Sequence, residues 1–162
     1  MTGVQTCALP ICTRYVNTGK VRLAYLNFPL QQHPHARETA ELALCAGLQD
    51  KFWQYHDALF RTQNEWTNLP ANTPYFYPLA AKTGIDTTSL RACYASHALR
   101  PMVDGDTQRA LDQGVRGTPA FFVGQTHRFD YGPSGTDLRK ALDEELRAAG
   151  GRTSGPGGAR DR

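Results

Sequence analysis

The residues from Gly114 to Gly124, Gly-Val-Arg-Gly-Thr-Pro-Ala-Phe-Phe-Val-Gly, constrain this chain more than any other stretch. Two glycines, a Thr-Pro bond and four apolar residues closing on a third glycine describe a tight loop that delivers the chain into a buried strand. Proline is tolerated at the first position of a strand because no ladder donor is needed there. X-Pro is also the only bond at which a cis peptide costs little, which makes Thr118-Pro119 a candidate cis bond.

The rest of the chain arranges itself around that loop. Val21 to Phe28 (VRLAYLNF) is a nearly continuous apolar run ending at Pro29, the pattern of a strand covered on both faces. His127 to Tyr131 alternates polar and apolar, as in a half-solvated edge strand paired antiparallel through the Gly124-Gln125-Thr126 turn. Between these lie helical patterns. Ala36 to Ala46 and Asp50 to Thr62 read as two helices broken at Gly47, with Asp50 placed to cap the second. Phe52, Trp53, His56, Leu59 and Phe60 recur there at helical spacing and form a core stripe, so His56 reads as a packing residue rather than a catalytic base. Glu65 to Pro78 holds three prolines and reads as a loop or a broken helix start, with its aromatics packed beneath it. Leu79 to Thr83 extends a short helix stopped by Gly84. Asp86 caps the next, which carries Leu90, Cys93 and Tyr94, and Pro101 opens or kinks a further helix reaching Gln113. Ser134 with Asp137 resembles a capping box, ahead of a final helix marked by Leu138, Leu142 and Leu146. From Gly150 onward the tail is rich in Gly and Arg, with nothing to bury, and is expected to be disordered.

At 162 residues the chain fits one domain with a single core. Its net charge of +3, with acids and bases interspersed, implies no nucleic-acid partner and no polybasic membrane footprint. No apolar run approaches a membrane span. His33-Pro34-His35 offers two histidines, but no Cys, Asp or third His stands at ligand spacing. A surface loop whose proline opens the next helix is the expectation, with no metal and no cofactor.

In order, the segments VRLAYLNFPL (21–30), ALCAGLQDKFWQYHDALF (43–60), LRACY (90–94) and GVRGTPAFFVG (114–124) resemble the DsbA-like thiol:disulfide oxidoreductases. The resemblance covers roughly Arg14 to Ala148. It implies an α/β, thioredoxin-like fold carrying an inserted helical block over about residues 35–113. Thr13 to Val16 then resembles the tail of the family's first helix, stopped by Asn17-Thr18-Gly19. Family members carry a Cys-x-x-Cys at the start of that helix, just after the first, central strand. No Cys-x-x-Cys occurs in this sequence. Met1 to Ile11 (MTGVQTCALPI) instead resembles the translation of a sequencing-library adapter, and Cys7 and Cys12 lack dithiol spacing. The expected division is thus an artefactual segment over 1–12, an incomplete DsbA-like domain over 13–149, and a tail over 150–162. Without the central strand its two neighbours lack a shared partner, and instability of the isolated chain is expected.

By the same resemblance, Thr118 and Pro119 hold an extended substrate segment through backbone bonds, with Val115, Arg116 and Gly117 shaping the loop. Related proteins also place cysteines at the positions of Cys45 and Cys93. A structural disulfide joining their two helices is one reading, and two separate buried thiols the other. A bridge would place the protein in the periplasm, cell envelope or outside. The implied function is the C-terminal portion of a DsbA-like oxidoreductase, inactive without its dithiol, whose partners are unfolded or reduced proteins and a recycling redox protein. Two alternatives stay open. One is a redox-inactive peptide-binding module on the same fold; the other is a glutathione-dependent relative, such as a kappa-class transferase or isomerase.

Overall fold

The computed structural model describes residues 11–71, 74–125, 127–130 and 132–152. They group into two compact units, one formed by the stretch up to Ala24 together with that from Gly117, the other by Tyr25–Arg116.

The Tyr25–Arg116 unit is helical: α1 (Ala36–Gly47), α2 (Phe52–Arg61), α3 (Gln63–Trp66), α4 (Phe76–Lys82), α5 (Thr87–Ser96) and α6 (Arg100–Asp112). Helix α1 is the hub, packing against α2, α5 and α6. Its buried residues Thr39, Leu42, Ala43 and Ala46 fall at i, i+3, i+4 and i+7, one face of a 3.6-residue period. Tyr55, Phe76, Ala80 and Leu90 complete the fully buried centre. The buried aromatics keep partners for their polar ends: the Tyr55 hydroxyl donates to the Phe76 carbonyl at 2.9 Å, and Trp66 Nε1 to the Leu59 carbonyl at 2.9 Å.

The helix ends follow local rules with instructive exceptions. Asp86 accepts from the backbone N–H groups of Thr88 and Ser89 at 3.0 and 3.1 Å, capping α5. Asp50 caps nothing. Helix α1 runs through Gly47, and the N–H groups of Leu48, Gln49, Asp50 and Lys51 fold back onto its last carbonyls. Asp50 is spent on that turn, at φ 57°, a left-handed conformation that Asp tolerates better than most residues. The Glu65–Pro78 stretch contains parts of α3 and α4. Pro78 is the third residue of α4, where its missing N–H would have no intrahelical acceptor.

In the other unit, β1 (Ala120–Val123) pairs antiparallel with β2 (His127–Asp130), Ala120 opposite Asp130 and Val123 opposite His127. Helix α7 (Gly135–Arg152) packs on β1. The core joins Ile11, Tyr15, Val123, Leu138, Ala141 and Leu142. Cys12–Val16 forms a single π-helical turn, and Gly19 follows at φ 73°. The Ser134 hydroxyl accepts from Asp137 N–H at 3.1 Å and donates to the Asp137 carboxylate at 2.7 Å, opening α7. At its other end α7 includes Gly150, so the expected disorder does not begin there. Each added residue still gains one helical bond, which offsets the glycine cost. Residues 153–162 lie outside the described residues, as does Tyr131.

One expected strand is not formed. Val21 to Phe28 takes no regular structure, and among the described residues the sheet has two strands. A strand exists only through its ladder. Lys20 and Val21 donate instead to the Tyr15 carbonyl, and Asn27 donates from its backbone and side chain to Asp106 at 3.1 and 2.8 Å. Leu23 and Tyr25 are each more than two-fifths exposed, which a strand covered on both faces does not allow.

Gly105 sits within α6, and apart from the helix's own adjoining backbone nothing lies within 4 Å of where a Cβ would be. Gly105→Ala is therefore expected to stabilise the chain by about 0.5–1 kcal/mol, read as a higher urea midpoint at unchanged slope.

Candidate functional site

The loop into β1 is built from two local motifs. At the end of α6, Gly114 takes φ 74° and donates to the Leu111 carbonyl, while Val115 donates to the Ala110 carbonyl at 2.9 Å. This is a Schellman closure, which requires the left-handed glycine and buries the apolar residue after it. Val115 is 2% exposed. Its contribution is anchoring: the side chain is held within the helical unit. Arg116 is exposed, Gly117 half-buried and Thr118 exposed. The Thr118-Pro119 peptide is cis. Gly132, at φ 83°, lies beside the proline ring; a Cβ there would stand 3.5 Å from Pro119 Cγ.

Beyond the proline, β1 is buried on one face only. Val123 is buried and Phe121 packs on the same core, whereas Phe122 is 50% exposed beneath the Arg128 guanidinium. Among the described residues, β2 is the one strand that pairs with β1.

Cys45 on α1 and Cys93 on α5 form a disulfide, with S–S 2.01 Å and Cα–Cα 5.9 Å. Neither sulfur is thus a free thiol. Cys12 is free and half-buried in the π-helical turn, and Cys7 lies outside the described residues.

The thioredoxin family model matches residues 3–144. The chain belongs to the thioredoxin family. Its relatives include disulfide bond formation proteins and Na+/H+ antiporters. The probable disulfide bond formation protein D of Bacillus anthracis is 26% identical over 136 residues, covering 82% of this chain and 61% of that protein. The solved structure of a thioredoxin-like oxidoreductase from Silicibacter pomeroyi superposes with a TM-score of 0.69 at 21% identity, over 88% of this chain and 79% of that one. The shared fold is thioredoxin-like α/β with a helical insertion. A Na+/H+ antiporter NhaA 3 of Salinispora tropica is 31% identical over 142 residues, which are 85% of this chain but 21% of the antiporter. This thioredoxin-family chain thus spans about three-fifths of the first relative and about a fifth of the antiporter. Among the described residues no helix is long and apolar enough to cross a membrane.

The histidines separate cleanly. His56 is ringed by Tyr25, Phe52, Trp53 and Phe60, with ring centroids at 4.8 to 5.8 Å, but the stripe is not core as its spacing suggests. Trp53 is 46% and Phe60 43% exposed, and α2 buries Tyr55 and Ala58 alongside Leu59 instead, because the inward face of the helix is set by where α1 and α4 pack. His33 is exposed, but His35 is not the surface residue its loop implied. It is 2% exposed, with Nδ1 3.1 Å from Glu38 Oε2 and Nε2 2.8 Å from the Leu69 carbonyl. Among the described residues no three His, Cys, Asp or Glu are grouped to hold a metal. Sequence reasoning missed a further cluster. The buried Glu41 carboxylate of α1 lies 3.1 Å from His97 Nδ1, at the end of α5, and 3.6 Å from Arg100 Nε of α6. Three residues on three elements leave no local signal to find, yet a buried acid needs such neighbours.

Proposed function

We propose that this chain carries the substrate-holding part of a thiol:disulfide oxidoreductase acting on proteins, and has no redox dithiol of its own. One observation carries the reading. Thr118, exposed, stands directly ahead of β1, and β1 pairs with β2 alone among the described strands. An extended segment of a client protein adds beside Thr118 through backbone bonds, a mode that tolerates many sequences because it reads the main chain. Pro119 fixes the turn, and Arg116 and Gly117 lead the chain into it. Val115 pins the loop's other end.

Disulfide formation in a client removes two electrons and two protons from a pair of thiols, passing them to an acceptor disulfide. Cys45 and Cys93 are bonded to each other inside the helical unit, with Cys45 1% exposed, which does not suit attack by a client thiolate. The acceptor and the partner that reoxidises it are therefore separate from the described site. The internal disulfide, together with the names of the relatives, supports an extracytoplasmic location.

The full chain is expected to bind a fluorescent, reduced and alkylated unfolded protein. Thr118→Pro, which removes the N–H beside the client strand, should weaken that binding at least tenfold. The chain should also fail to accelerate dithiothreitol-driven insulin reduction. Client binding indifferent to Thr118→Pro, or turnover of insulin, would sink the proposal.

A further inference from the structure

Beside the Cys12–Val16 turn, α7 borders a cleft of about 340 Å3 lined by Arg14, Thr136, Arg139, Lys140, Asp143 and Arg147. Four cations face one carboxylate. The five residues from α7 fall at i, i+3, i+4, i+7 and i+11, a single stripe next to the apolar stripe of Leu138, Ala141 and Leu142. Asp143 is already engaged: its Oδ1 accepts the Tyr15 hydroxyl at 2.9 Å. Burial and this contact push the Tyr15 hydroxyl pKa up, so the phenol remains the donor and Asp143 the acceptor.

Elsewhere Arg37, Arg100, Arg109 and Arg128 are paired with carboxylates, while cations such as Lys20, Arg22, Lys51, Arg61 and Lys82 stand unpaired among the described residues; what distinguishes the cleft is four cations converging on one surface. Among the described residues none of the four cleft cations has a carboxylate within 4.0 Å, not even Asp143 at i−4, i+3 or i+4 from three of them. Arg139 donates to Thr136 Oγ1 at 3.2 Å, and Arg14 rests 5.6 Å from the Tyr15 ring centroid. A helix dipole accounts for a cation near a C-terminus, such as Arg147, but not for Arg139 and Lys140 in the second turn of α7. The first-turn N–H of Asp137 is meanwhile capped by Ser134. What remains is an open surface of net charge three, on which Arg139 and Arg147 stand about 12 Å apart along the axis of α7, farther than one phosphate spans.

We propose that this cleft binds a ligand bearing two phosphate groups, either free in solution or displayed as a lipid headgroup. Arginine forks take phosphate oxygens in pairs, and lysine supplies a point charge between them. This proposal is independent of the client-binding reading, since no residue of the Thr118 loop takes part.

The test is calorimetric titration of the full chain with inorganic pyrophosphate in low-salt buffer. One-to-one binding is expected, weakened at least tenfold in Lys140→Gln/Arg147→Gln and again when salt is raised tenfold. Both side chains are exposed, so the variant should retain the parent's circular dichroism. Lys82→Gln, in the helical unit, should bind like the parent. Vesicles of phosphatidylcholine doped with cardiolipin separate the sources: co-sedimentation lost in the double variant favours a headgroup, and its absence in a chain that binds pyrophosphate favours a soluble ligand. No binding of pyrophosphate, or binding unaltered in the double variant, would overturn the proposal.

Discussion

Replacing both Cys45 and Cys93 by alanine is expected to lower the stability of the chain by about 4 kcal/mol, through the roughly 50-residue loop that the disulfide closes in the unfolded chain. The two residues are separated by 48 positions, nearly the whole span from α1 to α5. Cross-linking such a loop removes much of the unfolded ensemble's freedom, and the cost of ordering that loop then falls on packing alone. The packing that remains is thin at α5: Leu90 is the one buried residue it contributes, and Asp86 its one side-chain cap. Against a typical total of about 5–15 kcal/mol, the loss would bring the chain close to unfolding. Urea unfolding followed by helical circular dichroism checks this, in the double variant and in the parent with dithiothreitol. A shift below about 1 kcal/mol in both would mean that contacts within α1 and α5 hold the loop by themselves.

The same bond illustrates what a sequence does and does not show. Cys45 and Cys93 were visible as a pair only through resemblance, because two cysteines far apart in the chain carry no geometric signal of their own. The entry to β1 was legible for a local reason: glycine, X-Pro and an apolar run each restrict the backbone where they stand. Asp86 and Ser134 were legible likewise, since a cap acts within three residues. Val21 to Phe28 was not. An apolar run states that burial is wanted, while strand formation depends on a partner elsewhere in the chain. Asp50 failed more subtly, because the turn after α1 absorbed the residue that would otherwise have capped α2. The Glu41, His97 and Arg100 cluster and the paired bonds of His35 depend on contacts made only after the helices pack.

His35 yields the sharpest dependence on solution conditions. Glu38 Oε2 and the Leu69 carbonyl are both acceptors, so the ring meets both only as an imidazolium donating from each nitrogen. Trp66 and Phe76 flank it with ring centroids at 6.2 and 5.5 Å, and Glu38 is the charged group against it. Burial among these rings alone would lower its pKa; the bonds to the Leu69 carbonyl and the Glu38 carboxylate outweigh that and raise it above the ordinary imidazole value. The sign follows. A folded pKa above the unfolded one means the charged form is favoured by folding, so this stabilisation is complete below about pH 6.5 and is lost as pH rises through the raised value. Urea midpoints should therefore fall from mildly acid to mildly alkaline pH. His35→Gln cannot satisfy both acceptors and should cost about 1–3 kcal/mol at acid pH while removing most of the slope. His33→Gln, at an exposed ring, should leave both unchanged. A slope that survives His35→Gln would overturn this assignment and leave His35 a neutral packing residue.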